Sequence, residues 1–225
     1  MADLLLLPAL TVGTGLAMAT LARPVLLRLP EPADAVNDKT AYRDLPTHRF
    51  VLVCVLAAMA AQVLAVIALS PDLLPLWTVL ATAGVLLAAV DARTTWLPLR
   101  LTHAAWGLMV LAAGVALALG LPLTQVLRAA AGAAIAGSLY LVIWAVTRGG
   151  FGFGDVRFAP LLGAATASHS WSLLIWGLTL GTAVGAAHGA GRLVRRCVGG
   201  FPYAPSMLAG SYLAVLAMVL LLPPD

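Results

Sequence analysis

"DVRFAPLLGAATASHS", residues 155–170, decides how many times this chain changes sides. The stretch is mostly apolar but only 16 residues long. As a helix it spans about 24 Å, less than the roughly 30 Å of a bilayer's hydrocarbon core. If it crosses, the chain has eight spans; if not, everything after it moves to the other face. The surrounding composition makes the question one about membranes. The 225 residues are 62% hydrophobic and only 10% charged, too apolar for an ordinary soluble domain.

Seven further apolar segments run over 3–22, 50–70, 73–91, 98–119, 124–147, 171–191 and 204–222. Each has roughly the length that a crossing needs. Lipid offers the backbone no hydrogen-bond partner, so each span should be a helix. The expected fold is an all-α polytopic membrane protein of about eight transmembrane helices. One integral membrane domain covers 1–225, with 30–49 a short polar loop too small to fold alone. The first segment has Ala17, Ala19 and Ala22 near its end, as a signal peptide would, but no Lys or Arg precedes it. It is expected to be a retained helix.

The basic residues choose between seven and eight crossings. With residue 1 outside and eight crossings, Arg23, Arg28, Lys39, Arg43, Arg49, Arg93, Arg100, Arg148, Arg157, Arg192, Arg195 and Arg196 fall on one side. That is 12 of the 13 basic residues, with Arg128 the exception. Cytoplasmic loops carry the Lys/Arg excess, so both termini are expected outside the cytoplasm. If 155–170 failed to cross, the Arg192 cluster would be misplaced. A short crossing helix starts below the surface or thins the bilayer, which would recess Asp155. The net charge of +4 therefore reports topology. No basic stripe interleaved with aromatics suggests nucleic acid.

Among the nine acids, Asp3, Asp72 and Asp225 lie at outside ends, and Glu31, Asp34, Asp38 and Asp44 in the loop. Asp91 ends the third span and Asp155 starts the sixth, both at the basic face. An acid at membrane depth is a functional candidate. The alternatives are structural: Asp155 follows glycines and suits a helix N-cap, and Asp91 could pair with Arg93. Two carboxylates brought close share a proton. One then activates water as base while the other protonates a carbonyl oxygen, the chemistry of an aspartic protease. Gly149, Gly150, Gly152 and Gly154 permit unusual backbone angles and close approach of another chain, and so are expected to admit an extended peptide beside Asp155. A tight loop between spans is an equal reading.

Other candidates read as packing. Gly177, Gly181, Gly185 and Gly189 form a small-residue ladder for close helix approach. Cys54 and Cys197 have no CxxC spacing and read as small buried residues. The six tryptophans read mostly as interfacial anchors. His188, at the depth of the aspartates, reads as a packed or interfacial histidine with proton handling as the alternative.

Gly152-Phe153-Gly154-Asp155-Val156-Arg157 resembles the GxGDx[KR] motif of the type IV prepilin peptidases, GxGD aspartic proteases of the inner membrane. Asp91-Ala-Arg-Thr-Thr-Trp-Leu97-Pro98 is similar to that family's first aspartate motif, with Leu101-Thr102 continuing it. Pro202-Tyr203-Ala204-Pro205 is similar to its proline motif before the last helix, and Arg28-Leu29-Pro30 to the end of its first span. The resemblance implies that Asp91 and Asp155 are the catalytic pair, with Gly152, Gly154, Arg157 and Pro98 in the active-site loops. It implies a prepilin or pseudopilin substrate, cut at the cytoplasmic face of the bacterial inner membrane, and no metal or organic cofactor for proteolysis. Two departures stand out. Loop 30–49 has no cysteine, so the zinc-binding cytoplasmic domain of many relatives is absent, and that loss argues against their N-methyltransferase activity. Leu99 stands where a polar residue often follows the motif proline. Alternative readings are a proton- or solute-translocating protein using the same aspartates, a presenilin-like intramembrane protease, against which Val90 before Asp91 argues, and a non-catalytic assembly protein.

Overall fold

A computed structural model describes residues 2–31, 40–148, 152–196 and 200–221, and side chains from residue 7 onward. Gly149, Gly150, Cys197, Lys39, Asp34, Asp38 and Asp225, and the side chain of Asp3, lie outside the described residues.

The described chain is helical. Helix α1 is Ala2–Leu27, α2 is His48–Ala68, and the third span is α3 (Leu74–Val79) and α4 (Val85–Thr94) joined by a π turn over Leu80–Gly84. There follow α5 (Leu99–Ala118), α6 (Leu123–Val146), α7 (Phe153–His169), α8 (Trp171–Val194) and α9 (Ala204–Leu221). A 3-10 turn, Tyr42–Asp44, sits between α1 and α2. Seven helices, counting Leu74–Thr94 as one, are long and apolar enough to cross a membrane. The eighth is α7, 17 residues long.

Helix α7 runs antiparallel to α6 along much of its length, and Arg128 holds its far end. The last carbonyls of a helix have no intrahelical donor. Those of Ala167, Ser168 and His169 accept from the Arg128 guanidinium, each at 2.7 Å. Arg128 lies in the second turn of α6, so α7 runs from beside the end of α6 back to near its beginning. The one basic residue that departs from the charge pattern thus caps the C-terminal end of α7.

The elements surround Leu74–Thr94, the most buried span. Trp77 on it is fully buried, edge-on to Tyr212 at 5.5 Å, and so is a core residue where the sequence suggests an interfacial anchor. Trp171 and Trp176 are exposed. Cys54 is buried. Small residues allow the tightest contacts. Gly177, Gly181 and Gly185 of α8 receive Ser211, Met207 and Tyr203, whereas Gly189 faces open space. The ladder is packing, over three of its four rungs. Helix α7 packs most extensively on α6, where Gly132 and Gly163 meet backbone to backbone.

Candidate active site

One end of the bundle opens into a cavity of about 730 Å³. It gathers the end of α1 (Pro30, Glu31), the 3-10 turn (Tyr42), the end of α4 with its following turn (Asp91, Thr95 to Arg100), the start of α7 (Gly152 to Asp155, Arg157) and Phe201 before α9. Six candidate site residues read from the sequence lie here: Asp91, Asp155, Gly152, Gly154, Arg157 and Pro98.

Asp91 sits on α4 just past the π turn. Such a turn inserts an extra residue and rotates the following face of the helix; here it is held partly by Thr82, whose hydroxyl donates to the Thr78 carbonyl at 2.7 Å. The Asp91 side chain is 4% exposed, and its Oδ2 accepts from the Ala204 amide at 3.1 Å. That amide opens α9, where N–H groups have no helical acceptor and a carboxylate is favoured by the helix dipole. The Pro-Tyr-Ala-Pro stretch therefore orients Asp91 through a backbone donor, which side-chain chemistry alone does not reveal.

Beyond Asp91 the chain turns sharply. Thr95 is left-handed, with φ 57°, an outlier for a β-branched residue. Thr94 braces the turn: its hydroxyl donates to the carbonyls of Val90 at 2.9 Å and Trp96 at 3.1 Å. Strained backbone held by its surroundings is common at functional sites. Leu97 and Pro98 are thereby laid against the start of α7. A Cβ on Gly154 would stand 3.0 Å from Leu97 Cβ. The unusual backbone angles expected of the glycines do not occur at Gly152 and Gly154. Gly152 has an ordinary φ of −67° and Gly154 is helical. What Gly154 permits is close approach of the protein's own Asp91 turn.

Asp155 is the third residue of α7 and 6% exposed. Gly152, not Asp155, holds the N-cap position, so the simple capping role fails. Asp155 Oδ1 is buried and has no hydrogen-bond partner among the described residues. An orphaned buried oxygen is costly, and one lining a cavity is positioned to act on what enters. Arg157 does not reach across to that carboxylate: its guanidinium lies 4.6 Å over the Phe153 ring, and Phe153 packs edge-on against Trp144. His188 stands outside the cavity with its ring 5.0 Å from Phe201.

The polar loop contributes two residues that sequence reasoning missed. Glu31 accepts the backbone N–H groups of Tyr42 at 3.1 Å and Arg43 at 3.2 Å. This clamp seats Tyr42, 3% exposed, in the cavity wall. Its phenol is pushed up to about 12 by burial, then by the charges of Glu31 and Asp91. The only sequence signal was an acid directly after Pro30. Among the described residues no group of three or more His, Cys, Asp or Glu is arranged to hold a metal ion.

A search of curated proteins and one of solved structures returned no significant match. A family model does match: the type IV leader peptidase family, over residues 78–222. That match takes in both aspartates, the glycine motif and the proline motif, and it covers more than half of the chain, which therefore belongs to the type IV leader peptidase family.

Proposed function

We propose that this membrane-embedded peptidase is an aspartic endopeptidase that removes the leader of type IV prepilins or pseudopilins at the cytoplasmic face of the bacterial inner membrane. The observation that carries the reading is a pair of buried carboxylates, Asp91 and Asp155, on different helices and lining one cavity. The side is argued from the charge pattern of the sequence: an eight-span reading puts 12 of the 13 basic residues on the side of the aspartates, and such residues concentrate in cytoplasmic loops.

The chemistry follows from the pair. One carboxylate, ionised, takes a proton from water as the water oxygen attacks the scissile carbonyl carbon. The other, protonated, gives its proton to the carbonyl oxygen. The tetrahedral gem-diol collapses with cleavage of the C–N bond: the amine nitrogen takes the proton held by the first carboxylate, and one diol hydroxyl returns its proton to the second, restoring the pair. The pair titrates as a unit, so the roles belong to both together. The Ala204 amide fixes the orientation of Asp91, and protonation of the carbonyl oxygen by the second carboxyl avoids building an oxyanion beside the ionised one.

The test is co-expression with a prepilin and a gel shift for leader removal. Asp91→Asn and Asp155→Asn, which preserve size, should each abolish the shift while the protein remains in the membrane. Cleavage at the wild-type rate by either variant would sink the reading.

A further inference from the structure

A second cavity, of about 800 Å³, is lined almost wholly by apolar side chains of α5, α6 and α7. Helices α5 and α6 are joined by a turn of only four residues, 119–122, yet scarcely touch along their lengths. Each rests on other helices instead. The cleft between them is walled by Trp106, Met109 and Val110 of α5 and floored by Pro160, Leu161 and Ala164 of α7. Its other wall is α6 from Val126 to Leu141, a run of about 22 Å.

Three observations restrict what this cleft can hold. The α6 wall is small: Ala130, Ala134 and Ser138 recur every four residues, with Ala133 and Gly137 beside them. A wall of that kind lets another helix backbone come close, which is how helices associate in lipid. Next, Phe153 and Arg157 line both this cleft and the cavity of the aspartates. The Trp106 indole N–H donates to the Arg157 carbonyl at 3.0 Å and fixes α5 to α7 at that junction. Last, the adjoining cavity holds Asp155 Oδ1, buried and without a partner among the described residues, so a chain leaving the cleft at this end meets an acceptor open to it.

We propose that the α5–α6 cleft seats an apolar transmembrane helix of the substrate, its N-terminal end at Phe153 and Arg157 and the preceding extended chain passing into the cavity beside Asp155. This rests on the reading of the chain as a leader peptidase and adds where the membrane-embedded part of the substrate is held. The scissile bond then lies at the N-terminal end of the substrate's apolar helix, and holding the helix sets which bond reaches the aspartates. Affinity comes from helix packing in the cleft, while the chemistry stays with the carboxylates.

The experiment uses the full chain in detergent micelles with a membrane-anchored prepilin. Ala134 is exposed in the cleft, and Val142 is 58% exposed on the same helix outside it. Ala134→Trp should raise KM about tenfold, the size of one lost helix-packing contact, with kcat within about twofold of wild type. Val142→Trp should change neither. Ser138→Leu is the milder variant should Ala134→Trp fold poorly, with the same expected direction. A wild-type KM in the cleft variants, or an equal rise in Val142→Trp as a lipid-filled cleft would give, overturns the proposal. A second readout does not require cleavage. Ala134→Cys combined with Asp155→Asn should form a disulfide with a cysteine walked along the prepilin's apolar helix, peaking every three to four positions. A flat profile overturns the cleft even if cleavage is normal. A peaked profile with no cleavage by the otherwise wild-type enzyme would overturn the peptidase reading alone.

Discussion

Arg128 offers the sharpest test of how a 17-residue helix is accommodated. Its guanidinium donates to three carbonyls, each at 2.7 Å. Arg128→Met keeps the length of the stem and removes all three donors. A hydrogen bond to a charged group contributes about 1.5–3 kcal/mol, and a cation at a helix C-terminus adds roughly 0.3–1 kcal/mol through the dipole. Arg128 is only half-buried, so water replaces part of what is lost, and the bonds share one group and do not add fully. A loss of about 2–4 kcal/mol is expected. At roughly 2–4 °C per kcal/mol for a chain of this size, Tm should fall by about 5–15 °C, read by intrinsic tryptophan fluorescence in detergent. Arg128→Lys, a point charge without the planar fork, should recover about half of that. Ala167 lies twelve residues from Asp155, about 18 Å along the helix, so cleavage per folded molecule well below Tm should match wild type. An Arg128→Met protein that melts within about 2 °C of wild type would refute the capping argument. So would one that melts normally but has lost cleavage, since that would place Arg128 in function and not in support.

Three further outcomes follow from particular contacts. Gly154→Val drives a branched side chain into Leu97, whose Cβ stands 3.0 Å from the site of the new Cβ; cleavage should fall at least about tenfold through a shift of Asp155, and Leu97→Ala should restore part of it, whereas no rescue would mean that the two loops are not in contact. Gly210→Ala places a Cβ on the backbone of Gly181 in α8 and should cost about 1–3 kcal/mol by overpacking, seen as a lower Tm with Gly189→Ala, which meets nothing, as the unchanged control. Tyr42 has its pKa raised from 10.0 to about 12 in the folded protein, so the folded state holds the phenolic proton more tightly than the unfolded chain. Its contribution to stability is complete below pH 10 and is lost as pH rises towards 12. Tyr42→Phe should flatten the alkaline fall in Tm over that window, and an unchanged slope would show that Tyr42 is not buried beside these charges.

The number and type of elements were determined by the sequence alone, because a bilayer imposes a length and a backbone rule that any crossing segment must meet. The eight apolar runs correspond to the helices of the structure within a few residues at each end. The two aspartates were legible for the same reason, since a carboxylate at membrane depth stands out against an apolar background. Which face of each helix looks inward was not legible. In lipid both faces are apolar, so hydropathy carries little record of rotation about the helix axis, and Trp77 could be taken for an anchor when it is core. The structure alone decided that a π turn aims Asp91, that Gly154 exists to receive Leu97, that Glu31 presents Tyr42 to the cavity, and that Arg128 ends α7. Each depends on groups far apart in the chain meeting at atomic distance, and no local pattern encodes that meeting.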